Sequence, residues 1–154
     1  MDRSRNGLCR GEILKFSAVE LFSIVLDVEK YPEFLPWCKD VVIIGKNKEY
    51  MDVELIAGFM SMKGKYTSRV QFSKPTKENA GWIEAKSNDG IFKSLYCKWN
   101  FVPRGERETL VEFSVDFSFK SSVLQFAFDM VSGAAQLHIA RAFRNRAYEL
   151  LNSK

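Results

Sequence analysis

Val111, Phe113, Val115, Phe117 and Phe119 alternate without a slip with Glu112, Ser114, Asp116 and Ser118, and no other stretch of the chain constrains the fold as strongly. A period of two predicts a strand that is dry on one face and wet on the other, the pattern of an antiparallel sheet covered on one side only. The same rhythm recurs three times. Met51, Val53, Leu55 and Ala57 alternate with Asp52, Glu54 and Ile56; Tyr66, Val70 and Phe72 with Lys65, Thr67, Arg69 and Gln71; Leu95, Cys97, Trp99 and Phe101 with Tyr96, Lys98 and Asn100. Turn formers fall between these runs, at 45–48, 74–79, Asn88-Asp89-Gly90 and 103–107.

Two segments keep a helical period instead. Ser17 can cap a helix, Glu20 can return the bond three residues on, and Phe16 can staple onto Leu21, so a helix is predicted from Ala18 with Leu21, Phe22, Val25 and Val28 on its buried face. Pro32 and Pro36 then force a turn or one short helical turn around Tyr31 to Trp37. At the other end, Ser122 with Gln125 opens a proline-free pattern that continues to about Leu151, roughly 45 Å of helix at 1.5 Å per residue. Its first half is apolar almost all round, from Val123 through Leu137, whereas Arg141, Arg144 and Arg146 mark a polar side in the second. A helix apolar all round buries more than one face. The sheet can claim one, leaving another for a cavity, a partner or a lipid surface. The whole predicts a short strand, a helical insert, six more strands and a final helix. That is an α+β chain in which a curved antiparallel sheet wraps around the long C-terminal helix.

At 154 residues, 46% of them hydrophobic, the chain suits a single domain spanning 1–154. Thirteen phenylalanines favour an interior of strands or a lined hollow. The net charge of +4 is spread along the chain, too weak for DNA yet favourable to an anionic surface. Cys9, Cys38 and Cys97 form neither a paired framework nor a zinc cage. The arginines of the first ten residues have no apolar run behind them, and no stretch approaches the roughly 20 residues of a bilayer span. Secretion and membrane insertion are therefore not expected.

Catalytic chemistry finds little support. His138 stands alone among alanines and leucines, no cluster suits a metal, Glu112 and Asp116 share the wet face of their strand, and Gly58 and Gly64 open no phosphate-binding helix. No catalytic residue and no metal ligand is assigned. Apolar residues stand out instead where polar ones are usual. Phe59-Met60-Ser61-Met62 occupies a hairpin tip and Trp37 follows a proline, together suggesting a greasy entrance.

The run Asp27-Val28-Glu29-Lys30-Tyr31-Pro32-Glu33-Phe34-Leu35-Pro36-Trp37-Cys38 resembles the signature of the coenzyme Q-binding proteins and their bacterial relatives, the ribosome-association toxins and oligoketide cyclase-like proteins, within the START-like superfamily. Gly58-Phe59, Tyr66-Thr67-Ser68-Arg69-Val70, Gly90-Ile91-Phe92-Lys93-Ser94-Leu95, Trp99-Asn100-Phe101-Val102-Pro103 and Val115-Asp116-Phe117-Ser118-Phe119 extend the likeness, in order, over about residues 10 to 150. The Trp37-Cys38 ending is closer to the quinone-binding branch. Where the family pattern reads Gly-Pro-Phe-Lys this chain has Gly90-Ile91-Phe92-Lys93, a departure expected to loosen the turn into that strand.

The resemblance implies the helix-grip fold, an apolar tunnel, and binding of ubiquinone or a related polyisoprenoid quinone in support of respiration, as a ligand and not as a redox cofactor. On that reading Phe34, Leu35, Trp37, Phe59, Tyr66, Phe92, Leu95, Trp99, Phe117, Leu124, Phe128 and Val131 line the tunnel, with Tyr66 and Trp99 as donors to a quinone carbonyl. Lys63, Lys65, Arg141 and Arg144 hold headgroup phosphates during transient docking on a membrane. The protein would be cytoplasmic and peripheral to the inner membrane, rather than in the mitochondrial matrix. Two other readings come with the family: a translation inhibitor that binds the ribosome and blocks subunit joining, and a polyketide cyclase or aromatase. The last needs an acid or base facing the cavity, and the sequence offers no convincing one.

Overall fold

The computed structural model describes residues 10–59, 62–129 and 132–152. Its elements follow in the order β1 (Arg10–Leu14), α1 (Ala18–Leu26), a 3-10 helix (Val28–Glu33), β2 (Cys38–Lys46), β3 (Tyr50–Phe59), β4 (Met62–Ser73), β5 (Gly81–Ser87), β6 (Phe92–Pro103), β7 (Thr109–Phe119), α2 (Ser122–Asp129) and α3 (Ser132–Leu151). The strands form one antiparallel seven-stranded sheet in the order β1-β7-β6-β5-β4-β3-β2. Neighbours in sequence are neighbours in space except at β1, which returns to pair with β7. This is the helix-grip arrangement, with helices on the concave face. Bulges in β2 and at the start of β6 add local bending.

Register turns the alternation of single strands into rows that cross the sheet. Met51, Val70, Ala85, Cys97 and Val115 form one row; Phe72, Ile83, Trp99 and Phe113 form the next. Their side chains share the concave side because directly paired residues point the same way. Aromatic rings fill the second row while mostly small side chains make up the first.

The start of α1 follows its local signals. Ser17 Oγ accepts the Glu20 N–H at 3.2 Å and Glu20 Oε1 accepts the Ser17 N–H at 3.3 Å. Both halves of the capping box are therefore closed. Ala18, Leu21, Phe22 and Val25 are buried, as is Val28 in the 3-10 helix that accommodates Pro32. Phe22 lies edge-on to Phe72 and Phe101, fixing α1 across β4 and β6.

The C-terminal segment departs from expectation in its start. Ser121, and not Ser122, caps α2, its Oγ accepting the Leu124 N–H at 3.2 Å. Gln125 closes no capping box; its Oε1 accepts the Phe119 N–H at 2.7 Å and its amide donates to Asp129. Helix is present on both sides of Met130 and Val131, which lie outside the described residues. Val123 and Phe126 are 72% and 69% exposed, so the outer apolar face of α2 meets solvent.

The turn into β6 is tight where the family comparison suggested looseness. Gly90 takes φ +62°, and a Cβ there would stand 1.8 Å from the Lys65 carbonyl oxygen. Only glycine fits. Ile91 donates its N–H to that same carbonyl at 3.3 Å, a bond proline could not make, and accepts from the Lys120 N–H at 3.1 Å. Its side chain occupies the space where Gly64 would carry a Cβ, 2.0 Å from Ile91 Cγ2. The departure from the family pattern thus clamps β4, β6 and the end of β7 together.

Candidate functional site

On α3, Leu137, Ala140, Arg141, Arg144 and Ala147 recur at helical spacing and form one stripe toward β1. Opposite them stand Leu21, Ile24 and Val25 of α1, and Leu14, Trp99, Phe101, Val111 and Phe113 of the sheet. The helix does not fill the groove it crosses. A cavity of about 500 Å³ remains, within the roughly 300–1,000 Å³ typical of small-molecule sites.

Its rim is polar for a reason that lies in the strand pairing. β1 sets Glu12 opposite Val111, on the concave side of an edge strand, where the carboxylate meets Arg144 at 3.1 Å. Gly11, Glu12 and Arg141 are exposed, so the cavity opens to solvent between β1 and α3. Among the described residues no acid pairs with Arg141.

The walls are held by rings and by polar groups already committed elsewhere. Phe143 of α3 meets Trp99, Tyr31 and Phe34 edge-on at 4.9, 5.3 and 5.2 Å. The Tyr31 hydroxyl donates to the Val25 carbonyl, and Thr109 donates to the Phe16 carbonyl at 2.8 Å. Outside this cluster Arg146 lies over the Phe34 ring and binds Glu33 at 2.7 Å, which holds that carboxyl below its ordinary range. Among the described residues, no titratable side chain lines the cavity except Glu12, Arg141 and Arg144, all at the rim. His138 is exposed and does not line it. The described walls can shelter an apolar body.

Two thiols sit close to this interior. Burial pushes Cys97 up to about 12, against a smaller opposing hydrogen bond from Trp99, and burial with the nearby Asp40 charge pushes Cys38 up to about 11. At neutral pH fewer than about one molecule in a thousand carries either thiolate, which removes their nucleophilicity. Iodoacetamide at pH 7.5 is therefore expected to modify Cys38 and Cys97 at least about a hundredfold more slowly in the native protein than in denaturant. Peptide mass mapping with time reads this out residue by residue; labelling of either at the unfolded rate would contradict it.

The residues expected to line a tunnel separate into three places. Among those of them that are described, Trp99 alone lines the cavity. Phe34, Leu35 and Trp37 pack around the 3-10 helix, with Leu35 buried. Tyr66, Phe92 and Phe117 form a separate stack toward α2, with ring centroids 4.8 Å apart for Tyr66–Phe92 and 5.6 Å for Phe92–Phe117. Burial raises the Tyr66 phenol far above its ordinary value. Leu95 is buried on the same concave side, opposite Phe117, and Leu124 is half-buried in α2. Val131, Met60 and Ser61, and the side chains of Phe59, Met62 and Phe128, lie outside the described residues, so the greasy hairpin tip does too.

Most of the observed lining was not anticipated. Leu21 and Val25 read as a buried helix face and Val111 and Phe113 as a dry strand face, Leu14 and Phe143 carry no signal of their own, and only the failure of α3 to seat against β1 makes them walls. The proposed docking cations do not form one surface. Arg141 and Arg144 stand at the cavity rim on the β1 side, whereas Lys63 and Lys65 project from β4, four strands away, with Lys65 near Glu54 at 3.8 Å. Elsewhere Arg69 is matched by Asp52, Lys86 by Glu84 and Arg146 by Glu33 and Glu149.

The family model described as polyketide cyclase/dehydrase and lipid transport matches residues 14–144. A Rickettsia prowazekii protein named ribosome association toxin RatA is 30% identical over 140 residues, which cover 91% of this chain and 94% of that one. The mitochondrial coenzyme Q-binding protein COQ10 of Drosophila melanogaster is 26% identical over 144 residues, covering 88% of this chain and 57% of that protein. A START superfamily protein from Mycobacterium smegmatis superposes with a TM-score of 0.74 at 23% identity, over 94% of this chain and 98% of the other.

Proposed function

Because the chain belongs to the polyketide cyclase/dehydrase and lipid transport family, we propose that it binds a polyisoprenoid quinone in its interior and carries it without transforming it. One observation supports this most directly: an apolar cavity of about 500 Å³ that opens between β1 and α3 and carries charge only at its rim. The name of the Drosophila relative points to the same ligand class. Burial of apolar surface supplies about 25 cal/mol per Å², and the bilayer offers nearly the same, so exchange with a membrane is close to neutral. The two inert thiols fit a site for an electrophilic ring, since a thiolate would add to it.

A cyclase needs a proton donor or acceptor over its substrate. Among the described residues, the one carboxylate at the cavity is ion-paired to Arg144 at the rim. The volume has a further consequence. At roughly 30 Å³ per small group, about 500 Å³ takes a ring with one or two prenyl units, so the rest of a long tail stays in the bilayer or spreads into the interior toward α2.

Ribosome binding is the second reading, favoured by the name and near full-length match of the Rickettsia relative. It would work through unpaired surface cations and not through the cavity, so its affinity would fall steeply with salt while quinone loading would hardly respond. Gentle purification followed by organic extraction and mass spectrometry is expected to recover a quinone in substoichiometric to equimolar amount. An empty protein that sediments with a ribosomal subunit at low salt, and leaves it as salt is raised, would transfer the conclusion to the second reading.

A further inference from the structure

We propose that the outer face of α2, together with the lysines at the adjoining end of the sheet, docks on a bilayer containing anionic lipid. The inference rests on the carrier reading above, because a carrier must meet the membrane that holds its ligand.

Val123 and Phe126 stand one helical turn apart and are 72% and 69% exposed, more than any other large apolar side chain in the described residues. Isolated exposed apolar residues are ordinary; a valine and a phenylalanine on the same face of one helix make a wedge. Backbone bonds fix what surrounds it. Lys120 immediately precedes α2 and donates its N–H to Ile91, whose own N–H goes to Lys65. Phe92 pairs with Phe119, which brings Lys93 to the same end, and Lys63 lies two residues before Lys65 on β4. Lys63, Lys65, Lys93 and Lys120 are all exposed. Among the described residues, Lys63, Lys93 and Lys120 have no ion-pair partner, as is also true of Lys39, Lys46 and Lys98 on the sheet, and the Lys120 charge helps to hold the Asp89 carboxyl below its ordinary range.

An apolar wedge with unpaired ammonium groups at the same end of the sheet has a specific complement. Acyl chains accept the rings, headgroup phosphates take the charges, and each lysine gains near a negative surface in a way that salt screens. A second copy of this chain would bring the same positive charge against itself, and so fits less well.

The test uses the whole protein with vesicles of phosphatidylcholine alone or with about one-third phosphatidylglycerol. Cosedimentation is expected on the anionic vesicles, reduced at least tenfold in the partition coefficient without that lipid or at 0.5 M salt. Val123→Ser combined with Phe126→Ser, and separately Lys93→Glu combined with Lys120→Glu, are expected to lower it at least tenfold. All four positions are exposed, so circular dichroism and melting temperature should stay unchanged. Quinone content is measured on the same preparations. Variants that keep their quinone but lose vesicles support the docking face; variants that keep both overturn it and leave the carrier reading standing. Absence of quinone from the unaltered protein would count against the carrier reading instead. Dimers of the unaltered protein in lipid-free ultracentrifugation that the Ser variant abolishes would also overturn the docking proposal.

Discussion

Leu137→Asp is expected to empty the cavity while leaving the fold intact. Leu137 lies on the α3 stripe that faces the hollow and is only half-buried, so its loss removes ligand contact more than core packing. A leucine fully buried against an apolar partner is worth about 1.5–3 kcal/mol, and about 1.4 kcal/mol is a factor of ten in affinity. The aspartate adds a second penalty. Its carboxylate lies one helical turn from Arg141 on the same stripe, so it draws that guanidinium and its water across the mouth of the hollow, where the ligand has to pass. Quinone recovered by extraction should fall at least tenfold, with a melting temperature lowered by a few degrees at most. Leu137→Met keeps the volume and the polarity, and should load as the unaltered protein does. Equal loading of the aspartate variant would place the ligand somewhere other than this cavity.

That outcome bears on which features a sequence can disclose. The capping box at Ser17, the alternation of β3, β4, β6 and β7 and the count of seven strands are local, because each depends on residues a few positions apart. What covers each apolar face is not local. Alternation says that Trp99 and Phe113 face inward, but not that α3 rides high enough over β1 to leave them facing a hollow. Arg141 and Arg144 mark the second half of the final helix as polar, a signal that favours Leu124, Phe128 and Val131 of the first half as lining. In the structure those arginines stand at the lip, with Ala140, Phe143 and Ala147 beside them on the dry side. Glu12 shows the same limit. As a lone acid in a short strand it has no visible role until pairing with β7 sets it over the concave face beside Arg144. The cap at Ser121 was missed by one residue, since two adjacent serines carry the same signal and only the geometry of the Lys120 turn chooses between them.

Phe101→Ala is expected to produce the largest loss of stability of any single truncation around the site. Phe101 has no exposed surface, stacks beside Trp99 with centroids 6.2 Å apart, and meets Phe22 of α1 edge-on at 5.8 Å. It therefore couples α1 to the sheet and forms part of the cavity wall. Truncating a buried phenylalanine costs about 3–5 kcal/mol, and in a chain of this size each kcal/mol lowers the melting temperature by about 2–4 °C, so the fall should be about 6–20 °C. The wall position makes a further outcome decidable. If the new void joins the existing hollow, a ligand can occupy it, and a short-tailed quinone at about a hundred times its dissociation constant should return about 2.7 kcal/mol to the folded state. Melts with and without that quinone measure both quantities on one variant. A fall of less than about 1 kcal/mol would mean that α1 sits loosely against Phe101. A full fall with no recovery would mean that the void closes by collapse of α1 and the cavity with it, since a wall that can fall in when one ring is removed is a wall the ligand needs in order to stand.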